Sequence, residues 1–367
     1  LNNSIDLTGF DWGNWSDGNG FMPVGNESNP FTGSFDGSGY TIDGLFINRS
    51  ATDYVGLFGY MDTGSAVSNV SLANVNISGL SNVGGLVGKS WVSVFNCSTT
   101  GNVSGDGQSI GGLVGYNFGT VSDSSAAAGV SGTNTSDGYN VGGLIGFNDA
   151  DEGYGSIFNS SSTGYVNGTS YVGGLAGVSN GLIYNSSAAG PVNGVDYIGG
   201  LVGTNAGTVN TSYAAGNVSG THEYIGGLIG NHFTDAIVSN SYATGNVSTS
   251  GADAVGGLVG INSGNLSDSY ARGSVRGNSS LGGLVGENYG TVNTSYSTGN
   301  VSKTGTAVTV GGLVGTNIGT VNSSFYDQDT SGQSDAGKGT GKNTSEMKDF
   351  STFYGAGWDI ERNSEHN

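Results

Sequence analysis

The string Gly-Gly-Leu-Val-Gly, or a close variant, begins at Gly84, Gly111, Gly142, Gly173, Gly199, Gly226, Gly256, Gly282 and Gly311, and a degenerate copy, Val-Gly-Leu-Phe-Gly, begins at Val55. Start-to-start spacings of the intact copies run from 26 to 31 residues. Each copy continues in the same way. An x-Asn-x-Gly turn follows (Asn205 to Gly207, Asn288 to Gly290, Asn317 to Gly319), then a polar–apolar stretch such as TVNTSYAAG, then GNVSG and a variable loop. Each repeat thus holds about three short strands separated by turns. Such a unit cannot bury its apolar side alone, so copies must stack. A propeller fits poorly, because blades need about 40 or more residues, and glycine at this density disfavours helices. The expected fold is all-β: a single parallel β-solenoid with about three short strands per coil of 26 to 31 residues. Right-handed winding is the default for parallel connections. Ten copies at ~4.8 Å per rung give a rod of roughly 50 Å.

Composition fits this reading once the repeat is recognised. Glycine supplies 72 of 367 residues and proline 3. That excess suits either a flexible, disordered chain or many tight turns. The regular spacing of the apolar residues, 35% of the chain, favours turns. Collagen is excluded, since glycine does not recur every third residue. The formal charge is −19, and its cause is a scarcity of bases, 9 Lys and Arg in all. A chain of this charge repels nucleic acid and anionic lipid, and no apolar run is long enough to span a bilayer. Leu1 opens the sequence without Met, as in a mature chain freed of a signal peptide. Dense Asn-x-Ser/Thr sequons, among them Asn14, Asn48, Asn76, Asn102, Asn217, Asn246 and Asn300, fit an extracellular, N-glycosylated surface. Cys97 is the sole cysteine and forms no intramolecular disulfide. It aligns with Ser212 and reads as a small buried residue, the alternative being a reactive thiol.

Stacking turns repeat positions into ladders. Leu86, Leu113, Leu144, Leu175, Leu201, Leu228, Leu258, Leu284 and Leu313 are expected to form an apolar column in the core. Asn117, Asn148, Asn205, Asn262, Asn288 and Asn317 are expected to form a corner column, where Asn tolerates left-handed backbone and stacked amides bond from rung to rung. His232 takes that corner place in its own repeat and reads as a substituted corner residue. One question stays open. Strand alternation points Leu86 one way and Val83 and Val87 the other. Either a Gly-Gly bulge turns all three inward, or a stripe of Val87, Val114, Val202 and Val259 faces out as a lateral packing surface. Tyr213, Tyr242, Tyr270 and Tyr296 also share one repeat position, as a packed ladder or as a stacking platform for glycans.

Chemistry-bearing patterns are sparse. Asp62, Asp137, Asp196 and Asp253 lie scattered through variable loops, and Lys89, Arg272 and Arg276 do not recur with them. The sequence carries no triad, phosphate loop or transition-metal motif, so neither catalysis nor a cofactor is expected. One candidate metal loop remains. Asp327, Asp329, Ser331 and Gly332 match the first half of a calcium loop, with Asp335 at its ninth place, but Lys338 stands where the bidentate Glu belongs. A polar turn is the alternative.

The pattern GGLVGxNxGTVxNSYATGNVSG, cleanest from Gly199 to Val301, resembles the GLUG repeat of bacterial and archaeal cell-surface proteins. NPFTGSFDGSGYTIDGLFI, from Asn29 to Ile47, is similar to the segment that precedes such repeats. The stretch from Phe325 to Ile360 is similar to their closing segment. The resemblance implies residues 1–50 as N-terminal cap and opening coil, 51–324 as solenoid, and 325–367 as closing segment. It also implies a cell-surface repeat region. GLUG repeats occur in adhesins, in large surface proteins and beside protease domains. The protease variety needs a zinc-binding HExxH, and the histidines here are His222, His232 and His366. Two functions are therefore expected. One is a structural protein that assembles with copies of itself into a sheath, surface layer or filament through unpaired strand edges. The other is an adhesin that binds cell-surface glycans or a protein receptor.

Overall fold

A computed structural model describes residues 1–15, 17–132, 139–150, 155–305, 309–335 and 338–360. Asp137 and His366 lie outside these. The chain winds as a parallel β-solenoid in which each coil stacks on the last. A representative coil runs through strands Asp196–Gly199, Val202–Asn205, Thr208–Asn210, Tyr213–Ala214 and Val218–Gly220. Each strand pairs in parallel with its counterpart in the next coil, for example Ile198 with Ile225, Val209 with Val238 and Val218 with Val247. Three sheets take one strand per coil. They are an eleven-stranded sheet from Ser34–Asp36 to Thr320–Asn322, a ten-stranded sheet from Phe58–Met61 to Val314–Asn317, and a nine-stranded sheet from Val83–Gly84 to Thr309–Gly311. The fourth, of 21 strands, takes two per coil through most of the rod.

The coil therefore has five short strands where the sequence suggests about three. Two local interruptions account for the difference. Gly216 and its equivalents divide the wide side into two strands, and a bulge divides the Gly-Gly-Leu-Val side. At that bulge two successive N–H groups converge on one carbonyl. Leu201 N and Val202 N both donate to Leu228 O, at 2.9 and 3.0 Å, and the same pairing recurs from Leu86 to Leu284. Two residues facing one partner is the signature of a bulge, and it breaks the strict alternation of side chains. Val83, Leu86 and Val87 consequently all point inward, each 0% exposed. Val114, Val202 and Val259 are equally buried, so no outward valine stripe exists at these positions.

The glycines of the motif are steric necessities. A Cβ on Gly203 would lie 2.6 Å from the carbonyl oxygen of Gly177, and one on Gly200 would lie 3.0 Å from the Cβ of Ala214 and closer still to Gly227 O. Two stretches keep a constant length in each full coil from Val83 onward. One runs from the strand before the bulge to the corner (Ile198 to Asn205, Ile225 to His232, Val255 to Asn262), the other from Thr208 to Val218, as from Ile237 to Val247. Length varies at the two corners between them, as between Asn148 and Ser156 or Gly220 and Ile225.

Both ends carry added structure. At the N-terminal end Arg49 grips Asp17 with two hydrogen bonds of 2.8 and 3.0 Å. At the C-terminal end Thr340–Lys342 pairs with Phe325–Asp327, and a short helix, Phe350–Tyr354, follows.

Candidate functional site

Three columns run along the rod, and their geometry separates structural from available side chains. The leucines of the core column, Leu86 through Leu313, are each 0% exposed. Asn117, Asn148, Asn205, Asn262 and Asn288 are also fully buried, while Asn317, on the last rung, is half-buried. Their amides bond along the rod: Asn117 Nδ2 donates to Asn148 Oδ1 at 2.8 Å, Asn262 to Asn288 at 2.7 Å and Asn288 to Asn317 at 2.8 Å. The backbone here is not left-handed, contrary to the expectation from the sequence. Asn117 instead closes its own turn, with Nδ2 donating to Gly119 O and Oδ1 accepting from Gly119 N. An Asx turn of this kind needs no positive φ.

Left-handed residues form a different column: Asn69, Asn96, Asp123, Asn159, Asn185, Thr211, Asn240, Asp268, Thr294 and Ser323, with φ between 42° and 56°. Next to it lies a buried serine column that the sequence did not reveal. The backbone N–H of Ser186 donates to Ser212 Oγ, Ser212 N to Ser241 Oγ, and Ser241 N to Ser269 Oγ, at 3.1 to 3.2 Å. Each hydroxyl in turn donates to the carbonyl two residues back, as Ser212 Oγ does to Asn210 O. Its one signal was the recurrent serine before Tyr213, Tyr242, Tyr270 and Tyr296. Cys97 holds the equivalent place, and its Sγ lies 3.2 Å from Phe95 O. Burial pushes its thiol up to about 11, which removes the reactive thiolate at neutral pH. Folded protein should resist alkylation at Cys97 by iodoacetamide at pH 8, with labelling appearing on addition of denaturant. Rapid labelling of native protein would contradict this placement.

The tyrosines stand on the outside. Tyr213, Tyr242, Tyr270 and Tyr296 stack with centroids 4.9 to 5.0 Å apart and interplanar angles of 1 to 12°. The Arg272 guanidinium sits 4.8 Å over the Tyr270 ring and donates to Tyr296 Oη at 3.3 Å. Phe353 and Trp358 of the closing segment fold against Tyr296, at 6.3 and 6.2 Å between centroids. Trp358 Nε1 donates to Ser323 O at 2.8 Å.

The candidate calcium residues have other duties. Asp327 caps the short helix Gln328–Ser331, accepting from the N–H groups of Asp329 and Thr330, and also accepts from Thr344 Oγ1. Asp329 Oδ2 accepts from Thr344 N, and Asp335 Oδ1 from Gly312 N. Ser331 is buried. Asp327 and Asp329 thus meet at Thr344, while Asp335 bonds elsewhere, and among the described residues the three form no cluster of metal-type side chains. Among the described residues, metal-type side chains converge instead at Asp196, His222 and Glu223. There His222 Nδ1 lies 2.8 Å from Asp196 Oδ1, a contact that raises the imidazole pKa. The sequons Asn14, Asn48, Asn76, Asn102, Asn217, Asn246 and Asn300 all lie at exposed positions. No helix of the described residues is long and apolar enough to cross a membrane.

Parallel coils, stacked ladders and an outer, partly exposed tyrosine column define the chain as a β-solenoid repeat protein. The chain carries repeats of the GLUG motif, which matches residues 106–131, 137–167, 221–248 and 251–276. The chain is 42% identical over 118 residues to Halomucin of Haloquadratum walsbyi, an alignment covering 31% of this chain and 1% of that protein. It is 40% identical over 399 aligned positions to a protein of Evansella cellulosilytica with the provisional name Gly-rich membrane protein, covering 97% of this chain and 40% of the relative. The chain thus spans well under half the length of either relative. Among solved structures, a provisionally named immunoglobulin A1 protease from Bacteroides ovatus aligns at 19% identity and a TM-score of 0.35, over 95% of this chain and 78% of that one. So loose a likeness carries no argument about activity.

Proposed function

We propose that this chain is a non-catalytic structural rod of the cell envelope that associates with copies of itself along its axis, as in a sheath, surface layer or filament. One observation carries the reading. The eleven-stranded sheet ends in an outermost strand on each side, Ser34–Asp36 and Thr320–Asn322. Its inward column is fully covered through the middle, with Val121, Ile157, Ile183, Val209 and Val238 each 0% exposed. At the two outermost strands the inward residues, Phe35 and Val321, are left half-buried. All pairing in this sheet is parallel, so the far edge of one rod has the polarity needed to continue the near edge of another. Unpaired edges are templates for such pairing, and head-to-tail contacts propagate into filaments or rings. Beside Phe35 opens an apolar cavity of about 410 Å³, with Trp12, Phe31 and Leu45 in its wall. Closing it would remove further apolar surface from water.

Like charge opposes this contact, since the chain carries −19. Screening weakens that repulsion. Sedimentation of the full chain should therefore show larger species as salt rises from 0.05 to 1 M, each figure on the order of the range over which the Debye length falls from above 10 Å to about 3 Å. Val321→Asp should abolish them while leaving the monomer folded. A wild-type chain that stays monomeric at every salt concentration would refute the proposal.

A further inference from the structure

We propose that the tyrosine column, together with the closing segment, forms a binding site for an oligosaccharide containing uronic acid. Two adjoining cavities share Tyr296, Trp358 and Ile360. The first, about 490 Å³, is bounded by Tyr270, Tyr296 and Trp358 together with Asn240, Asp268 and Asp359. The second, about 470 Å³, lies beyond Trp358 and adds Arg272 and Lys348. Each volume falls within the range of small-molecule sites.

The chemistry of the walls selects the ligand. Aromatic rings beside carboxylate and amide groups suit a pyranose, whose C–H face packs on a ring while its hydroxyls donate to carboxylates. The polar groups are held in place. Thr294 Oγ1 donates to Asp268 Oδ1 at 2.6 Å, and the indole of Trp358 is fixed by its bond to Ser323 O. The second cavity differs in charge. The whole chain has 9 Lys and Arg, and two of them, Arg272 and Lys348, line this one cavity against a single carboxylate, Asp327, which is buried and accepts from Thr344 Oγ1. Both are exposed, and Arg272 is oriented by Tyr270 and Tyr296. A guanidinium presented in this way matches a carboxylate. The arrangement therefore takes a neutral face of the sugar chain against Tyr270 and Trp358, and a uronate carboxylate at Arg272. A cationic ligand is disfavoured, because the cation–π position over Tyr270 is already filled by Arg272.

Titration calorimetry on the full chain at low salt tests the site, with tetragalacturonate, an uncharged glucan tetramer and choline as probes. Tetragalacturonate should bind saturably, and the glucan at least tenfold more weakly. Arg272→Gln should remove the preference for the charged oligomer. Trp358→Ala should weaken both sugars at least tenfold, with far-UV circular dichroism showing the solenoid retained. The site as proposed is overturned by no saturable binding of tetragalacturonate, by equal affinity for the two sugars, by tighter binding of choline, or by wild-type affinity in Arg272→Gln. Sugar binding by a chain that never associates would leave this inference standing and remove the assembly proposal.

Discussion

Replacing Leu228 by Ala will lower the stability of the rod by about 2–5 kcal/mol, the range for emptying a fully packed leucine site. Leu228 is 0% exposed and lies between Leu201 and Leu258, which are equally buried. The surrounding coils have little freedom to collapse into the void. Leu228 N donates to Leu258 O at 2.8 Å, while Leu228 O accepts from both Leu201 N and Val202 N. The backbone is thus pinned to both neighbours. Because each coil contacts chiefly the coils beside it, the loss falls on two interfaces in the middle of the rod. Chemical denaturation should show a reduced midpoint and, as the halves uncouple, a broader transition. A loss below about 1 kcal/mol would mean that the leucines are not packed to the density of an ordinary core.

His232 gives the second large effect, and it depends on pH. The imidazole occupies the buried asparagine column, 0% exposed. Asn205 Nδ2 donates toward Nδ1 at 3.2 Å, and Nε2 faces Asn265 O at 3.4 Å. Burial lowers its pKa to about 4. In the unfolded chain the group takes up a proton near pH 6.5. Between those values the unfolded state binds more protons, so stability falls as pH drops from about 6.5 to about 4. The full loss is about 3 kcal/mol. The histidine also interrupts the amide ladder, since Asn262 Oδ1 is buried without a hydrogen-bond partner. His232→Asn restores a donor at that place. It should raise the melting temperature at neutral pH and flatten its decline between pH 6.5 and 4. A variant with the same pH profile as wild type would show that the acid sensitivity lies elsewhere.

How far the sequence could be read depended on which physical rule governed each column. The leucines were legible because every repeat places one at the same distance from its glycines, and stacking converts that distance into a common address. The direction of Val87 and Val202 was not legible. Alternation is the rule for a regular strand, and the bulge that suspends it is made by two N–H groups sharing one carbonyl, which no side chain records. The asparagine amides could be anticipated, but their backbone was misjudged, because the Asx turn satisfies the corner without left-handed geometry. The true left-handed column mixes Asn, Asp, Thr and Ser, so it carries no single residue signature. The buried serine column through Ser212 and Ser241 was not singled out, since its burial depends on the carbonyl two positions back accepting the hydroxyl proton. At the exterior site the tyrosine column was visible in the repeat. Its closure by Phe353 and Trp358 was not, because those residues lie outside the repeating pattern.

The two constant stretches of each full coil from Val83 onward, set against two corners that tolerate different lengths, make the number of turns a free variable. Duplicating one full turn reproduces the interface on both of its sides, so a longer rod needs no new junction. Extra residues at the corners leave that interface untouched, so foreign segments can be carried there at regular intervals along the axis. Length and surface cargo can therefore change independently, through whole-turn duplication for the one and corner insertion for the other.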